Sequence, residues 1–283
     1  MDYPGVARQF ARNLSLQVDL RFEAENLKAF RDNFQFSKYV IFPKPILASE
    51  LVLVEEKIYG SPLHEWYGGD GDKSPAHRRL AQSGSDLFLQ MILTDNFFHA
   101  DIHPGNCLVG QRKGEELPYL AMLDVGVCQT LTKEQRDVSH EFLTSIVVGD
   151  WEKVAGSLLR MSPSQDFCNH ENFKQEVFNI CNRVMPPYEP QSFGDRLLYW
   201  SRQIGILPRP PKKMGFATDF VQSIFNAMQE HRVRIEPAYA SLLFSCLMME
   251  CIANHCDKTL DVIGYAAPWF LSSALNGPRR FAT

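Results

Sequence analysis

Two short apolar runs with polar residues at both ends constrain the fold of this chain more than any other feature. The runs are residues 107–109 and 119–123, and the polar, glycine-containing segment 110–118 separates them, which predicts a β-hairpin with a long tip. In a hairpin, the residue before the first strand and the residue after the second strand lie at the same end. We therefore expect Asn106 and Asp124 to be neighbours at the base of this hairpin.

The pair at the hairpin base predicts a magnesium site. An amide oxygen and a carboxylate suit Mg²⁺, a hard cation that keeps several waters and completes its coordination with substrate phosphates. Asp101 lies five residues before Asn106, in a loop bent by Pro104 and Gly105, so it can face a substrate hydroxyl or a water at the same phosphate. An Asp-x-x-x-x-Asn loop followed by a hairpin and an Asp-x-Gly triplet is the layout of the protein-kinase catalytic loop.

The same loop allows two other interpretations. His99, Asp101 and His103 form a nitrogen and oxygen set that zinc or iron would bind in a metal-dependent hydrolase. An ordinary capped turn, with the histidines bonded to the backbone, is the plainest alternative. Asp124 after the hairpin favours the phosphate-binding interpretation over the capped turn, and the Pro104–Asn106 triplet with the Asp-x-Gly ending argues against the hydrolase.

Composition and charge narrow the class of protein. Hydrophobic residues make up 45% of the 283 residues, which indicates a folded protein rather than a disordered one. A formal net charge of -4 provides no field to hold a polyanion, so nucleic-acid binding is not expected. Residues 1–5 show no secretory signal, and seven cysteines without a Cys-x-x-Cys pair favour a reducing compartment.

The pattern of apolar residues predicts a mainly helical chain with a few strands. Helical spacing covers residues 6–34 and 76–95, whereas the β-branched run 51–58 is typical of extended structure. Prolines divide the second half into five or six helices, with predicted ranges of 133–148, 151–160 and 238–255. The apolar stretch 238–253 contains Glu250 and is shorter than the roughly 20 residues that span a bilayer, so we expect a buried helix.

Four segments resemble a known family. The string FFHADIHPGN at 97–106, followed by LDVGV at 123–127, resembles the HADPHPGN and LDFG signatures of the UbiB or aarF-domain-containing (ADCK) atypical kinase-like proteins. Residues 17–26 are similar to the E-x-D-x-x-x-E-A segment of that family, and residues 51–60 to its passage between lobes. The resemblance implies an α+β, protein-kinase-like fold.

The resemblance also implies a domain organisation and a chemistry. Residues 1–60 would form a remnant of the small lobe, and residues 61–283 the helical large lobe. ATP and Mg²⁺ would be the cofactors, with Asp101 as the catalytic residue and Asn106 and Asp124 as metal ligands. The residues at the nucleotide would be Glu23, Glu55, Glu56, Asn106 and Asp124.

The biological role rests on the resemblance alone. It implies ATP hydrolysis or phosphotransfer to a small molecule or lipid, in ubiquinone or mitochondrial lipid metabolism. It further implies a mitochondrial location, a lipid or quinone-precursor ligand, and a membrane surface or a protein as partner.

Departures from the family pattern favour a second hypothesis, a protein without catalytic activity. Gln17 stands in place of an acid, Ile102 in place of a proline, and Val125 in place of a phenylalanine. We expect the sequence to lack most of the small lobe, including the nucleotide-binding lysine that would pair with Glu23. A non-catalytic pseudokinase or binding module is therefore the competing hypothesis.

Overall fold

The computed structural model describes residues 18–67, 74–163, 165, 168–184, 216–260, 262, 264–266 and 268–270. Within these ranges lie seven α-helices: α1 Leu20–Asn33, α2 Pro75–Leu89, α3 Lys133–Val148, α4 Trp151–Arg160, α5 His170–Val184, α6 Phe216–Glu230 and α7 Pro237–Cys256. The strands are short: β1 Val40–Ile41, β2 Pro45–Ala48, β3 Leu53–Glu55, β4 Ser61–Pro62, β5 Phe98–His99, β6 Cys107–Gly110, β7 Tyr119–Met122 and β8 Cys128–Gln129.

The predicted hairpin is the centre of a four-stranded sheet with the order β1-β7-β6-β4. β6 and β7 pair antiparallel, with Cys107 opposite Met122 and Gly110 opposite Tyr119. β1 joins β7 in parallel and β4 joins β6 antiparallel. The hairpin register therefore brings the residues just before β6 and just after β7 to one end of the sheet, as the sequence predicts.

The segment 45–55 forms a separate two-stranded ribbon. β2 and β3 pair antiparallel, with an irregularity between Pro45 and Leu47. The ribbon packs against α1, while Leu47 and Val52 remain exposed to solvent. This ribbon delivers Glu55 to the edge of the candidate site.

The helix predicted over 76–95 changes its geometry before it ends. Its last turn, Gln90–Asp95, is a π-helix, and Asn96 stops it in the left-handed conformation with φ 48°. Asparagine tolerates this conformation better than most residues because its side chain can bond locally. Here the Asn96 amide donates to the Leu131 carbonyl at 2.9 Å and its Oδ1 accepts from the Leu131 N–H at 3.3 Å, so one residue ends α2 and holds the loop before α3.

The predicted limits of α3 and α4 agree with the structure because both helices have strong end signals. Thr132 and Gln135 form a capping box at the start of α3, and Gly149 ends it in the left-handed conformation with φ 80°. The Asp150 side chain then accepts from the Lys153 N–H and caps α4.

Two hydrophobic clusters form the core. The first combines α1, the sheet and α2 with residues of α7 from Leu242 to Cys256, and in it the rings of Phe30 and Phe42 stack at 4.9 Å. The second combines α3, α4, α5 and α6 with the first half of α7. α7 is apolar on several sides because it packs against both α2 and α6. None of the helices in the described ranges is long and apolar enough to cross a membrane.

The predicted boundary at residue 60 stays a prediction. The four-stranded sheet contains β1 from before that residue and β4, β6 and β7 from after it. The predicted helical residues 6–17, which include Gln17, lie outside the described residues.

The close approach of residue 60 to β6 can be tested with two alanine substitutions. A Cβ at Gly60 would lie 2.5 Å from the backbone oxygen of Val109, whereas a Cβ at Gly156 in α4 would meet nothing within 4 Å. We expect Gly60→Ala to lower the free energy of unfolding by about 1–3 kcal/mol, because a backbone contact cannot yield as a side chain can. Gly156→Ala should raise it by roughly 0.5–1 kcal/mol. Urea unfolding measures both, and equal effects of the two variants would contradict the close contact.

Candidate active site

The base of the hairpin presents Asn106 and Asp124 together. A single 3-10 turn, Pro104–Asn106, leads into β6, and the Asn106 N–H donates to the His103 carbonyl at 3.1 Å. The Leu123 N–H donates to the Asn106 carbonyl at 2.9 Å, which extends the hairpin by one more bond. Asp124 follows directly, is exposed, and its Oδ1 accepts from the Gly126 N–H at 2.9 Å. The local fold therefore fixes the backbone of both predicted metal ligands.

His99 connects the two segments that carry the candidate acids. β5 pairs antiparallel with β8, which places His99 opposite Cys128, and the side chain is only 1% exposed. Its Nδ1 accepts from the Asp101 N–H at 2.9 Å, and its Nε2 lies 2.8 Å from the Asp124 carbonyl oxygen. Because a carbonyl can only accept, the proton must be on Nε2. Burial lowers the pKa of His99, which keeps the imidazole neutral.

This bonding removes His99 from the proposed hydrolase site. Both ring nitrogens are engaged with backbone groups, so neither is available to a zinc or iron ion. Within the ranges that the structure describes, no group of three His, Cys, Asp or Glu side chains is arranged to hold a metal. The set of His99, Asp101 and His103 expected for a metal-dependent hydrolase thus lacks its first ligand.

A buried hydroxyl anchors the same segment to the large helix α7. Ser245 Oγ lies 3.2 Å from the His99 carbonyl and 2.9 Å from the Ser241 carbonyl. Ile102 is buried, whereas Asp101 is exposed. The loop is therefore fixed on both sides of Asp101, and the Asp101 carboxylate itself faces solvent, where a substrate could reach it.

Helix α1 holds the turn that follows Asp124. The Asn26 amide donates to the Val125 carbonyl at 2.8 Å, and Glu23 Oε1 accepts from the Val125 N–H at 3.4 Å. Both backbone groups of Val125 are thus bonded to α1. Val125, which replaces the phenylalanine of the family triad, is completely buried.

Glu23, Glu55 and Asp124 form an acidic group. Partial burial and the charge of Asp124 raise the pKa of Glu23, and a bond from the Val125 N–H partly opposes the shift. Burial and the charge of Asp124 also raise the pKa of Glu55. In the parts of the chain that the structure describes, no Lys or Arg side chain forms an ion pair with these three carboxylates. Their mutual repulsion favours a cation in this place.

Glu56 is not brought to this group. Adjacent residues of an extended segment point to opposite sides, so Glu55 faces Asp124 and Glu56 faces the ribbon. The Glu56 side chain accepts from the Lys44 N–H at 3.3 Å and lies 3.7 Å from Arg31. These contacts connect the ribbon to α1. The expected role of Glu56 at a nucleotide stays a prediction.

Two residues, His99 and Ser245, support the candidate site in ways that the sequence did not indicate. The spacing of the loop identified His99 as a possible ligand or turn residue, and only its burial between two backbone groups shows that it connects Asp101 with Asp124. Ser245 lies 146 residues away from His99, and no local signal marks it.

The fold and the loop together define a kinase-like protein, and comparisons identify its family. The model of the ABC1 atypical kinase-like domain matches residues 1–158, more than half of the chain. This chain therefore belongs to the ABC1 atypical kinase-like family, and the resemblance to UbiB and ADCK proteins and the α+β, kinase-like fold class are confirmed.

Curated relatives align with nearly the whole chain. It is 27% identical to "Probable protein kinase UbiB" of Aliivibrio fischeri, over 98% of this chain and 47% of the relative. It is 26% identical to "ABC1 family protein C21C3.03, mitochondrial" of Schizosaccharomyces pombe, over 97% of this chain and 42% of the relative. It is 25% identical to "Probable serine/threonine-protein kinase abkC" of Dictyostelium discoideum, over 96% of this chain and 46% of the relative. The chain thus spans less than half the length of each relative.

A solved structure shares the fold. The Rv3197 protein of Mycobacterium tuberculosis, solved in complex with erythromycin, superposes with a TM-score of 0.58 at 12% sequence identity. The superposition covers 99% of this chain and 63% of that protein. At this identity, the likeness concerns the fold alone.

The connecting role of His99 predicts a large and pH-dependent loss of stability in His99→Ala. The substitution removes two buried hydrogen bonds and leaves the Asp101 N–H and the Asp124 carbonyl without their partner. We expect the free energy of unfolding to fall by about 2–4 kcal/mol, whereas the exposed His64→Ala should change it by less than about 0.5 kcal/mol.

The pH dependence follows from the lowered pKa of His99. Above its ordinary pKa of 6.5 the neutral imidazole contributes fully to stability, and this contribution is lost as the pH falls towards the lower pKa of the folded protein. The difference between the original protein and His99→Ala should therefore be smaller at pH 5 than at pH 7.5. Urea unfolding at both pH values measures it, and a difference that grows in acid would contradict the neutral, buried imidazole.

Proposed function

We propose that this chain binds ATP with Mg²⁺ and that Asn106 and Asp124 are the protein ligands of the metal. The observation that carries the proposal is the hairpin register, which brings an amide and an exposed carboxylate to one end of the sheet beside the acidic group. These are oxygen donors of the kind that Mg²⁺ prefers, and Asp124 is exposed, so waters and phosphate oxygens could complete the coordination. When bound, the metal would neutralise charge on the phosphates.

Asp101 is the proposed catalytic residue. Its backbone N–H is fixed by His99, and its carboxylate is exposed five residues before Asn106. A carboxylate in this position can accept a proton from an attacking hydroxyl or water, or orient it towards the terminal phosphate. Positioning of this kind, together with electrostatic stabilisation, supplies most of the rate enhancement in phosphoryl transfer.

Glu23 and Glu55 are proposed to lie at the nucleotide. In a kinase-like site, a helix glutamate orients the lysine that binds the phosphates. Glu23 lies on helix α1, and partial burial and the charge of Asp124 raise its pKa, so a cationic neighbour would favour its charged form. Magnesium or a lysine would supply that charge.

The acceptor is proposed to be water, a small molecule or a lipid, in ubiquinone or mitochondrial lipid metabolism. The names of the relatives support this: several are called UbiB and one is called mitochondrial. A mitochondrial location, a lipid or quinone-precursor ligand, and a membrane or protein partner belong to the same proposal.

A non-catalytic pseudokinase or binding module is the second candidate. Gln17 in place of an acid and the lack of an ion pair for Glu23 within the described residues favour it. Binding of the nucleotide and its turnover therefore need separate tests.

Nucleotide binding should depend on both magnesium and Asp124. Thermal-shift titration with ATP should raise the unfolding temperature of the original protein with Mg²⁺ and much less with EDTA. Asp124→Asn removes the anionic ligand and should weaken the Mg²⁺-dependent binding at least tenfold, whereas Asp32→Asn, at an exposed position of α1, should leave it unchanged. Equal shifts with and without Mg²⁺ would contradict the metal site.

Asp101→Asn separates turnover from binding. The substitution should keep the Mg²⁺-dependent ATP shift but lower ATP hydrolysis by roughly 10²–10⁴-fold, because the acceptor of the proton is lost. Phosphate release by the original protein, Asp101→Asn and Asp124→Asn measures this. If the original protein binds ATP but releases phosphate no faster than Asp124→Asn, the binding-module hypothesis replaces the enzyme.

A further inference from the structure

A cavity of about 130 Å³ lies between α2, α3, α6 and α7, apart from the candidate active site. It is located where the two hydrophobic clusters meet. Phe88 and Met249 on its wall belong to the first cluster, and Phe142 and Leu243 belong to the second. Ala266 closes part of it from the C-terminal segment. None of its lining residues belongs to the acidic group or to the loop around Asp101.

The wall of the cavity is almost entirely hydrocarbon. Ser85, Cys246 and Glu250 are the polar or ionisable residues in its lining. Burial raises the pKa of Cys246, so this thiol stays protonated and uncharged. Glu250 is acidic, which opposes the entry of an anion. The wall provides too few polar groups to hold a water with its usual two to four hydrogen bonds.

The cavity is partly open to solvent, and its accessible volume of about 130 Å³ suits a small occupant. An engineered apolar cavity of about 150 Å³ in another protein stays dry and binds benzene, so a cavity of this size and composition is suited to a molecule of that kind. Polar or charged molecules would lose their hydration without gaining partners. A neutral hydrocarbon would regain the dispersion contacts that an empty wall lacks.

We propose that this cavity is a binding site for a neutral, apolar molecule of about the size of benzene. The site is independent of the proposed nucleotide site and stands whether or not the protein hydrolyses ATP. Met249 is suited to report occupancy because it lines the cavity and its methyl group packs against Gly84 of α2, 3.0 Å from where a Cβ at Gly84 would lie.

The test is a titration of the full chain with benzene, followed by NMR of ¹³C-labelled methionine methyl groups. The Met249 signal should shift and saturate, whereas Met122, which is buried in β7 outside the cavity, should not shift. Benzoate has the same ring with a negative charge and should leave Met249 unchanged. Benzene should also raise the unfolding temperature, since a ligand that binds only the folded state stabilises it.

Variants that fill the cavity provide the decisive control. Ala266→Leu adds volume from the C-terminal segment and should abolish the Met249 shift. Leu143→Phe adds volume from α3 and is the alternative filled variant if Ala266→Leu does not fold. An unchanged Met249 signal in saturating benzene, equal shifts of Met249 and Met122, or a shift that persists in a folded, filled variant would each overturn the proposal. A benzoate shift equal to that of benzene would overturn the assignment to neutral ligands.

Discussion

The candidate site depends on one buried imidazole. His99 accepts from the Asp101 N–H and donates to the Asp124 carbonyl, and so it joins two segments that are 23 residues apart in sequence. Each ring nitrogen can play only one of these roles, so the neutral tautomer with its proton on Nε2 is required. Burial keeps the ring neutral, and Ser245 of α7 holds the backbone carbonyl of the same residue. The position of the proposed catalytic acid is thereby set by the core.

The hairpin and α1 place charged and polar side chains beside the loop that His99 holds. The hairpin of β6 and β7 supplies Asn106 and Asp124, and α1 holds Val125 through Asn26 and Glu23. The result is three carboxylates in proximity, two of them with raised pKa values because of burial and the charge of Asp124. The repulsion among these carboxylates costs free energy, and Mg²⁺ bound nearby, at the proposed ligands Asn106 and Asp124, would offset that cost.

The sequence predicts the parts of the structure that depend on local rules. The hairpin follows from two apolar runs and their separator, and the limits of α3 and α4 follow from Thr132, Gly149 and Asp150. The neighbourhood of Asn106 and Asp124 follows from the hairpin. The role of His99, the separation of Glu56 from Glu55, and the bond from Ser245 depend on packing between distant segments, which leaves no periodic signal in the sequence.

Paramagnetic broadening by Mn²⁺ distinguishes a metal site at Asn106 and Asp124, which we propose, from binding elsewhere. Mn²⁺ takes oxygen ligands like those of Mg²⁺ and broadens the NMR signals of nearby amides. With ATP present, sub-stoichiometric Mn²⁺ should broaden the amide signals of Asn106, Asp124 and Gly126 first and leave those of Val154 in α4 sharp. Asp124→Asn should abolish this pattern. Broadening that centres on other amides, or that persists in Asp124→Asn, would rule out a cation held by Asn106 and Asp124.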